Sequence, residues 1–480
     1  MQKTTKYLFL DSGIVNSHYG DNVEMHLNTI QKDEVNNPLF TEEFFSNPSK
    51  SWEVRYDNSY PNVFYDRQEK IYRCYYTLFL KDDHSATTPL EKRPGQQYQP
   101  SSKRITGFCY AFSKDGVNWE KPNLGLVEFN ESKDNNIIFR NAHGSCVFLD
   151  EEETDPKKKY KLLTKIEYSH DNHFMAVAYS NDGIHFGEPI PWPNFNPQAD
   201  TYNYFFRDPV TRKFILITRI WKNGLRIAAK CESVDFIHWS EPVEITRGQG
   251  AESQVYSMPI FRYENIYLGL PSMYKEGDRS DDDFDTVDLK LNFSVDMNNW
   301  EFVAPKENFI VRGIGKYPTG EFDCGCIFSS TPVEIDHKIY FYYMGGNGQH
   351  TNFRETSFAR GYIEKDKFAY YAPKNEGSKS IVLTSAFNFF GDQLSILADL
   401  EEGGSIQYEI VKRNSLESME GFGVADCEPI IGSGWSSMKF KNKKITDLGN
   451  EPFCIRFTFE KAKLFALDGF LNVLKKKYNQ

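Results

Sequence analysis

The stretch FCYAFSKDGVNW at residues 108–119 decides the fold, because its pattern returns three more times along the chain. MAVAYSNDGIHF (175–186), IAAKCESVDFIHW (227–239) and LKLNFSVDMNNW (289–300) are each a short strand pattern ending in Ser-x-Asp-x-x-x-Trp or Phe. The serines lie at 113, 180, 233 and 294, and the aspartates and aromatic residues follow at the same intervals of 67, 53 and 61 residues. Four matches in step indicate an internal structural repeat.

Each repeat predicts a β-hairpin, since Asp-Gly, or an Asp that caps its own turn, reverses the chain between two strands. A second hairpin pattern of strand, polar turn and strand falls between the repeats, as in YNYFFRDPVTRKFILITRI (202–220). Two hairpins make a unit of four strands roughly every 60 residues, and five such units fit between about 55 and 372. Four-stranded sheets repeated radially predict a five-bladed β-propeller.

The repeat ends near residue 378, and alternating strand patterns such as SIQYEIV (405–411) and PFCIRFTFE (452–460) follow. Glycine-containing turns separate these patterns, which is typical of a β-sandwich. We therefore expect an all-β chain with two domains. Residues 1–375 form a five-bladed β-propeller that carries the catalytic site, and residues 376–480 form a C-terminal β-sandwich.

The composition narrows the class of partner. The net charge of −11 over 480 residues argues against a nucleic acid or an anionic membrane surface. Aromatic residues make up 15% of the chain; most of them fit a sheet core, and some tyrosines fit a surface on which sugar rings stack. A carbohydrate is the expected partner, and the sequence does not predict an oligomeric state.

The eight cysteines contain no C-x-x-C pair, so we expect no zinc site, no other metal and no cofactor. Their scatter fits free thiols in a reducing compartment. No run of about 18 apolar residues predicts a membrane span. The N-terminal segment lacks the apolar stretch of a signal peptide, which predicts a cytoplasmic protein, or a periplasmic or extracellular one if an export signal has been removed.

Candidate catalytic groups precede the first strand of each predicted blade. In a propeller these strands line the central channel in one direction, so the residues before them gather at one mouth. Carboxylates that converge there repel one another, which leaves one protonated and another ionised at neutral pH. A glycosidase needs such a pair. The titratable groups in these segments are Glu53 or Asp57, His143, Asp200, Glu252, and Glu321 or Asp323.

Three stretches carry a resemblance to a known family: LFLDSGIVN (8–16), FCYAFSKDGVNWEKPNLGLVEFNESKDNNIIF (108–139) and ADTYN (199–203). They resemble a group of poorly characterised bacterial proteins related to glycoside hydrolase family 32, the family of invertase, inulinase and levanase. The propeller also resembles family 43, the arabinanases and xylosidases. The resemblance implies a glycoside hydrolase that acts on an oligo- or polysaccharide, exo-acting on a furanoside-type sugar. The family 32 pattern W-M-N-D-P-N-G and its Glu-Cys motif are absent.

By position, the resemblance implies a role for each catalytic candidate. Glu252 resembles the general acid, Asp200 the transition-state stabiliser or pKa modulator, and Asp57 or Asp11 the nucleophile or base. Asp323 is an additional catalytic candidate that this scheme does not assign. The substrate-binding candidates are Asp11, Glu53, Arg55, His143, Tyr256 and His350.

The tripeptide Arg207-Asp208-Pro209 resembles a catalytic signature of enzymes that cut fructans. Asp208 follows the first strand of its predicted blade, however, and so belongs to the end of the propeller opposite the mouth. Asp-Pro followed by polar residues is also good turn chemistry. We expect Asp208 to be a structural turn residue.

Other classes of function remain open on this fold, since a propeller does not by itself imply catalysis. One alternative is a non-catalytic propeller that binds glycans or proteins. A sialidase would need arginines for the sialic carboxylate, for which the candidates are Arg55, Arg140 and Arg360. A glycoside phosphorylase would need basic residues for phosphate. The contacts of the carboxylates and the number of arginines beside them discriminate among these classes.

Overall fold

A computed structural model of the chain describes residues 6–16, 19–169, 171–375, 377–449 and 451–474. Its regular structure is almost entirely β-strand, which confirms the prediction of an all-β chain. The helical segments are the α-helix α1 (Asp83–Thr87) and 3-10 turns at Leu90–Lys92, Pro156–Lys158, Gly250–Glu252 and Ile445–Leu448. Within the described ranges, no helix has the length and apolar character needed to span a membrane.

The first four strands pair with strands that come more than 300 residues later in the chain. They are β1 (Lys6–Leu8), β2 (Val23–Leu27), β3 (Gln31–Lys32) and β4 (Phe40–Thr41). β1 and β2 pair with strands after residue 368, and β3 and β4 pair with residues 357–362. The N-terminal segment therefore pairs both with the C-terminal strands and with a strand of the preceding repeat region.

Three separate antiparallel sheets follow, each ordered as successive hairpins in agreement with the repeat. The first contains β5 (Asn62–Asp66), β6 (Ile71–Lys81), β7 (Ile105–Ser113) and β8 (Trp119–Glu120), with β9 (Ile137–Arg140) beside β7. The second contains β10 (Ala142–Leu149), β11 (Tyr160–Ser169), β12 (Asn172–Ser180) and β13 (Ile190–Pro191). The third contains β14 (Tyr204–Arg207), β15 (Phe214–Lys222), β16 (Leu225–Ser233) and β17 (Val243–Arg247).

The next strands are shorter and are shared between two sheets. They are β18 (Gln254–Ser257), β19 (Ile260–Tyr263), β20 (Ile266–Gly269), β21 (Ser272–Lys275), β22 (Thr286–Leu289), β23 (Asn292–Ser294) and β24 (Glu301–Phe302). After them come β25 (Cys326–Ser329), β26 (Val333–Ile335), β27 (Lys338–Gly346) and β28 (Thr356–Glu364). β28 in turn pairs with β3 and β4.

This propeller-like part contains four blade-like sheets of four or five strands, the three above and a fourth of β19, β20, β23 and β24, where the sequence predicted five separate blades. Pro259 separates β18 from β19 and Pro271 separates β20 from β21, because proline cannot donate to the ladder. A parallel contact between Val287 and Cys326 then joins the strands on either side into one nine-stranded sheet. The prediction of five blades is thus corrected to four, and the propeller-like arrangement stands.

The C-terminal strands form a seven-stranded sheet with β1 and β2. They are β29 (Ala369–Pro373), β30 (Ser380–Leu383), β31 (Phe387–Lys412), β32 (Gly434–Ser437) and β33 (Phe453–Val473). The two longest strands, β31 and β33, pair from Asn388 opposite Asn472 to Val411 opposite Cys454. The sandwich stays a prediction, since these hydrogen bonds define one sheet.

The predicted domain boundary falls between β29 and β30, both of which pair with β33. Residue 376, where the second predicted domain begins, lies outside the described residues, as do residues 1–5 and 475–480 at the outer limits of the two domains. β1 and β2, which the prediction places in the propeller domain, pair with strands of the C-terminal sheet. The reason is apolar burial, since Phe9 and Ile14 pack into the core of that sheet.

The repeated turns form as predicted. In all four, the Ser hydroxyl lies 2.9–3.2 Å from an Asp carboxylate oxygen that also accepts two following backbone N–H groups. The residue after each Asp has a positive φ that closes the turn. In the first sheet that residue is Gly116, whose carbonyl accepts the Tyr342 hydroxyl of β27 at 3.0 Å. The turn therefore also links the first unit to the last.

Candidate active site

Asp57 lies five residues before β5 and is held by two buried arginines. Arg55 Nε and Arg354 Nη2 each lie 3.2 Å from Asp57 Oδ1. Burial alone would raise the pKa of Asp57, but the charges of Arg354 and Arg55 outweigh it and hold that pKa well below its usual value. The side chain keeps 25% of its surface exposed, so this ionised carboxylate is accessible.

Asp200 is a second ionised carboxylate and comes from the third sheet, four residues before β14. His143 Nε2 lies 3.0 Å from Asp200 Oδ1, and Arg219 Nη2 lies 3.2 Å from Oδ2. Burial works against ionisation, but the contact with His143 and the charges of His143 and Arg219 hold the pKa of Asp200 well below its usual value. Its side chain is 57% exposed, the most open of the charged groups here.

Tyr60 connects the two carboxylates on one side of the mouth. It follows Asp57 by three residues, and its ring meets the ring of His143 edge-on at 6.0 Å. Tyr60 also stacks on Tyr202, two residues after Asp200, at 5.6 Å. The charge of Asp200 contributes to the raised pKa of Tyr60, after burial and the influence of Tyr256. Asp57 and Asp200 therefore belong to one site.

His350 and Tyr256 close the other side of the mouth. Their rings meet edge-on at 4.8 Å, and the Arg219 guanidinium lies over Tyr256 at 4.6 Å. The His350 carbonyl accepts a hydrogen bond from Arg354 Nη1, which also connects this loop to Asp57 through Nη2. Burial and the charge of Arg354 lower the pKa of His350 to about 3, so its imidazole is neutral at ordinary pH.

The segment between β6 and β7 forms a wall beside Asp57. Tyr98 donates its hydroxyl to Asp82 and its backbone N–H to Asn352 Oδ1 at 2.9 Å. The Arg55 guanidinium lies 4.0 Å from the centre of the Tyr98 ring and donates to the Asn352 carbonyl at 2.9 Å. Arg55, a predicted substrate-binding residue, is thus fixed between this wall and Asp57.

Two predicted acids are held in ion pairs within the protein. Glu53 is buried and contacts Lys121 and the Tyr56 hydroxyl at 2.9 Å each, while burial raises its pKa. Asp323 is buried against Lys32 Nζ at 2.6 Å and the Tyr343 hydroxyl at 2.9 Å. Neither position suits the predicted role, because each carboxylate neutralises a neighbouring lysine inside the fold.

Two further predicted acids lie apart from this cluster. Glu252 is exposed at the end of a 3-10 turn, with its carboxylate against Gly277. Among the described residues, no hydrogen bond or ion pair connects it to Asp57 or Asp200. Asp11 follows β1 beside the C-terminal sheet and accepts the Gly13 backbone N–H at 2.7 Å in its own turn. The roles predicted for Glu252 and Asp11 therefore stay predictions.

Asp208 is a turn residue, as predicted. Its carboxylate accepts the backbone N–H of Thr211 at 2.7 Å and the Tyr267 hydroxyl at 2.7 Å. The turn joins β14 to β15 at the end of the sheet remote from Asp200. The first strands also border an open pocket with a volume of about 230 Å³, lined by residues such as Phe64, Phe148 and Tyr204.

The sequence analysis missed Glu42, a carboxylate that contacts the backbone of Tyr56, the residue before Asp57. Its Oε1 accepts the backbone N–H groups of Tyr56 at 3.0 Å and Thr356 at 3.2 Å. Desolvation raises the pKa of Glu42 to about 7, against the opposing charge of Arg93. Glu42 follows β4 and reaches the mouth only because β4 pairs with β28, which no local pattern predicts.

Three arginines were also missed: Arg219, Arg226 and Arg354. A signal for the first two was present in RIWKNGLR (219–226), where an Asn-Gly hairpin turn brings arginines and a tryptophan together. Of the arginines predicted as sialidase candidates, Arg55 lies at the mouth. Arg140 lies over Phe129 and Arg360 pairs with Asp33 instead.

No part of the described chain brings together three or more His, Cys, Asp or Glu side chains in a metal-holding arrangement. The site therefore consists of carboxylates, arginines, neutral histidine and aromatic rings. The eight cysteines are buried.

No family model and no curated protein matches the chain. Among solved structures, a putative glycoside hydrolase from Bacteroides ovatus is 13% identical, with 72% of this chain and 98% of that chain covered at a TM-score of 0.47. An N-acetylgalactosamine deacetylase from F. plautii, in complex with blood group B trisaccharide, is 14% identical, covering 72% and 96% at 0.45. A thermostable family-43 glycoside hydrolase is 14% identical, covering 64% and 90% at 0.41. These similarities concern the fold only.

Proposed function

We propose that the chain is a glycoside hydrolase that cleaves glycosidic bonds of an oligo- or polysaccharide at the mouth around Asp57 and Asp200. The observation that carries this proposal is the pair of accessible, ionised carboxylates contributed by two different sheets to one aromatic-lined site. Cleavage of a glycosidic bond needs such a carboxylate as nucleophile or base, together with a protonated acid.

Glu42 supplies the second requirement. Its pKa of about 7 keeps a large fraction protonated near neutrality, whereas Asp57 stays ionised. Two carboxyl groups whose environments push their pKa values apart are suited to acid and base roles. In this proposal Glu42 donates the proton to the leaving oxygen, and Asp57 or Asp200 acts as nucleophile, base or stabiliser of the positive charge on the sugar.

The walls support cleavage of a terminal sugar, which we propose is of the furanoside type. The Tyr98 segment closes the mouth beside Arg55, and the His350 loop closes it beside Tyr256. A site closed on two sides suits the end of a chain better than its middle. Tyr60, Tyr202 and Tyr256 are buried rings that pack beneath these walls and hold the charged side chains in place.

We also propose the number of blades and the form of the C-terminal domain. We infer that the joined sheets between residues 254 and 364 correspond to two blades, with β18 and β19 as halves of one interrupted first strand and β25 as the next. This reading gives five blades, a family 32-like layout, and a C-terminal sandwich formed where β31 and β33 bend across two layers. The Ser-x-Asp turns support this assignment of blades, because each turn joins the third and fourth strands of one four-stranded unit.

The test is product release from a glycan panel that contains fructans, arabinans, plant pectins and sialosides. We expect the wild type to release a sugar and Asp57→Asn or Asp200→Asn to lower kcat by about 10²–10⁴-fold. Asn keeps the shape of the side chain and removes only the charge. Glu252→Gln is the comparison variant, since Glu252 is exposed and neither Asp57 nor Asp200 has a described contact with it.

Release that survives in Asp57→Asn and Asp200→Asn would contradict the proposal. Loss of release in Glu252→Gln alone would return the acid role to Glu252. Glycan binding without release by any form would identify a non-catalytic propeller.

A further inference from the structure

Buried arginines with unused N–H groups surround the two carboxylates. Arg55 and Arg219 are 2% and 5% exposed, and each gives one nitrogen to a site carboxylate. The Nη1 atom of each guanidinium is buried and has no hydrogen-bond partner among the described residues. The Nε atoms of Arg226 and Arg354 are in the same state. A buried donor without an acceptor is costly, so these groups call for an acceptor from a ligand.

The unused groups at the mouth are all hydrogen-bond donors. Guanidinium N–H groups donate and never accept. A sugar hydroxyl that bound there would bring its own proton, which also needs an acceptor. A carboxylate or phosphate brings only acceptor oxygens and matches the guanidinium fork. The donor excess therefore fits an anion better than a neutral sugar.

Aromatic rings fix the arginines in place. The Arg55 guanidinium lies 4.0 Å from the centre of the Tyr98 ring, and Arg219 lies 4.6 Å from that of Tyr256. Trp221, which is 45% exposed, lies under both Arg219 at 5.3 Å and Arg226 at 4.6 Å. Stacked guanidinium groups lose little freedom on binding, which is how a preformed anion site is built.

The geometry points to a substrate that carries an anionic group, a sugar carboxylate or a phosphate, held at this mouth by Arg55 and Arg219. The inference rests on the proposed function and names the substrate class of the same site. Trp221 then provides a stacking surface at the rim for the sugar ring next to the anion.

The test is calorimetric titration of the full chain with three probes at one ionic strength. Inorganic phosphate represents a phosphate source, methyl β-glucuronide a carboxylated sugar, and methyl β-glucoside the neutral ring of the same shape. We expect at least one anion to bind about tenfold or more tightly than the glucoside, and its affinity to fall as salt is added. Tight binding of phosphate alone identifies phosphate, and tight binding of the glucuronide alone identifies a carboxylated sugar.

Variants locate the site. Arg55→Lys and Arg219→Lys each keep the charge but lose the planar fork, so we expect about a tenfold loss of anion affinity. Arg360→Lys is the matched control, because Arg360 is a partly buried arginine that pairs with Asp33 away from the mouth. If a variant fails to fold, the inference is still tested by the wild type, whose affinity for the anion should fall as salt is added.

Two results would overturn the inference: neither anion binding more tightly than methyl β-glucoside, or an anion affinity unchanged in both Arg55→Lys and Arg219→Lys. If product release from neutral glycans still depends on Asp57, either result removes the anion site and leaves the proposed hydrolase intact.

Discussion

Three of the four residues from Asp57 to Tyr60 have left-handed backbone. The φ angles are 54° at Asp57, 52° at Ser59 and 45° at Tyr60. Such non-glycine conformations cost roughly 1 kcal/mol or more each, and they persist where neighbouring contacts impose them. Here Thr77 donates to the Ser59 carbonyl at 2.8 Å and Arg354 donates to Asn58 at 2.7 Å. The strained turn presents Asp57 and Tyr60 to the same mouth.

Glu42 makes stability depend on pH. Its pKa is about 7 in the folded chain, above the ordinary 4.5, so the folded state keeps a proton that the unfolded state has released. The free energy of unfolding should therefore be highest below about pH 4.5 for this group and fall as pH rises to 7. We expect Glu42→Gln to remove a slope of about 1–3 kcal/mol between pH 5 and 8, measured by denaturant titration at both pH values.

Glu252→Gln is the comparison for this experiment, since Glu252 is an exposed glutamate. It should leave the slope between pH 5 and 8 as in the wild type. An identical slope in Glu42→Gln and the wild type would show that Glu42 is ionised when folded, and would also remove it as the acid of the proposed mechanism.

The Ser-x-Asp turns are the feature that the sequence predicts best, because every contact in them is local. Asp235 illustrates this: its Oδ1 accepts the N–H groups of Ile237 at 2.9 Å and His238 at 2.8 Å. At the next position Phe236 adopts φ 68° without being glycine, and its ring packs against Phe205 and Phe214. Core packing there replaces the freedom that Gly116 and Gly183 supply in the first two turns.

Asp235→Ala should destabilise the chain by about 1 kcal/mol, because two turn N–H groups lose their acceptor. Denaturant titration measures the loss. Glu241→Ala, a change at an exposed acid just after the same turn, should stay within about 0.5 kcal/mol of the wild type. Equal effects of the two changes would mean that water replaces the carboxylate and that the repeated Asp does not stabilise its turn.

Non-local contacts explain what the sequence could not predict. Asp323 was a reasonable candidate by position, but Lys32, almost 300 residues earlier, pairs with it at 2.6 Å. Glu42 and Arg354 reach Asp57 through the pairing of β4 with β28. Pro259 and Pro271 interrupt strands whose apolar pattern runs on without a break. The segments before the first strands predict Asp57 and Asp200 as catalytic residues because strand order alone places those segments at one end of the propeller, and that role stays a prediction.

The propeller-like part is closed by its own N-terminal segment. β3 and β4 pair with β28, and Asp33 pairs with Arg360 of that strand at 2.7 Å. From there Arg360 and Tyr342 donate to the Gly116 carbonyl in the first sheet. The same segment carries Glu42, so closing the ring also completes the candidate site. Assembly and function therefore depend on one stretch of chain.

The C-terminal sheet should depend on the first residues of the chain. Phe9 is fully buried, its ring lies 6.0 Å from that of Phe457, and its N–H donates to the Phe465 carbonyl at 2.9 Å. We expect Phe9→Ala to destabilise this sheet by about 3–5 kcal/mol, as truncation of a buried phenylalanine does, with faster amide hydrogen exchange across β31 and β33 than across β15. Phe390→Ala, at an exposed position of β31, should leave exchange unchanged. Faster exchange in β15 and β33 alike would instead indicate that the two parts of the fold unfold as one unit.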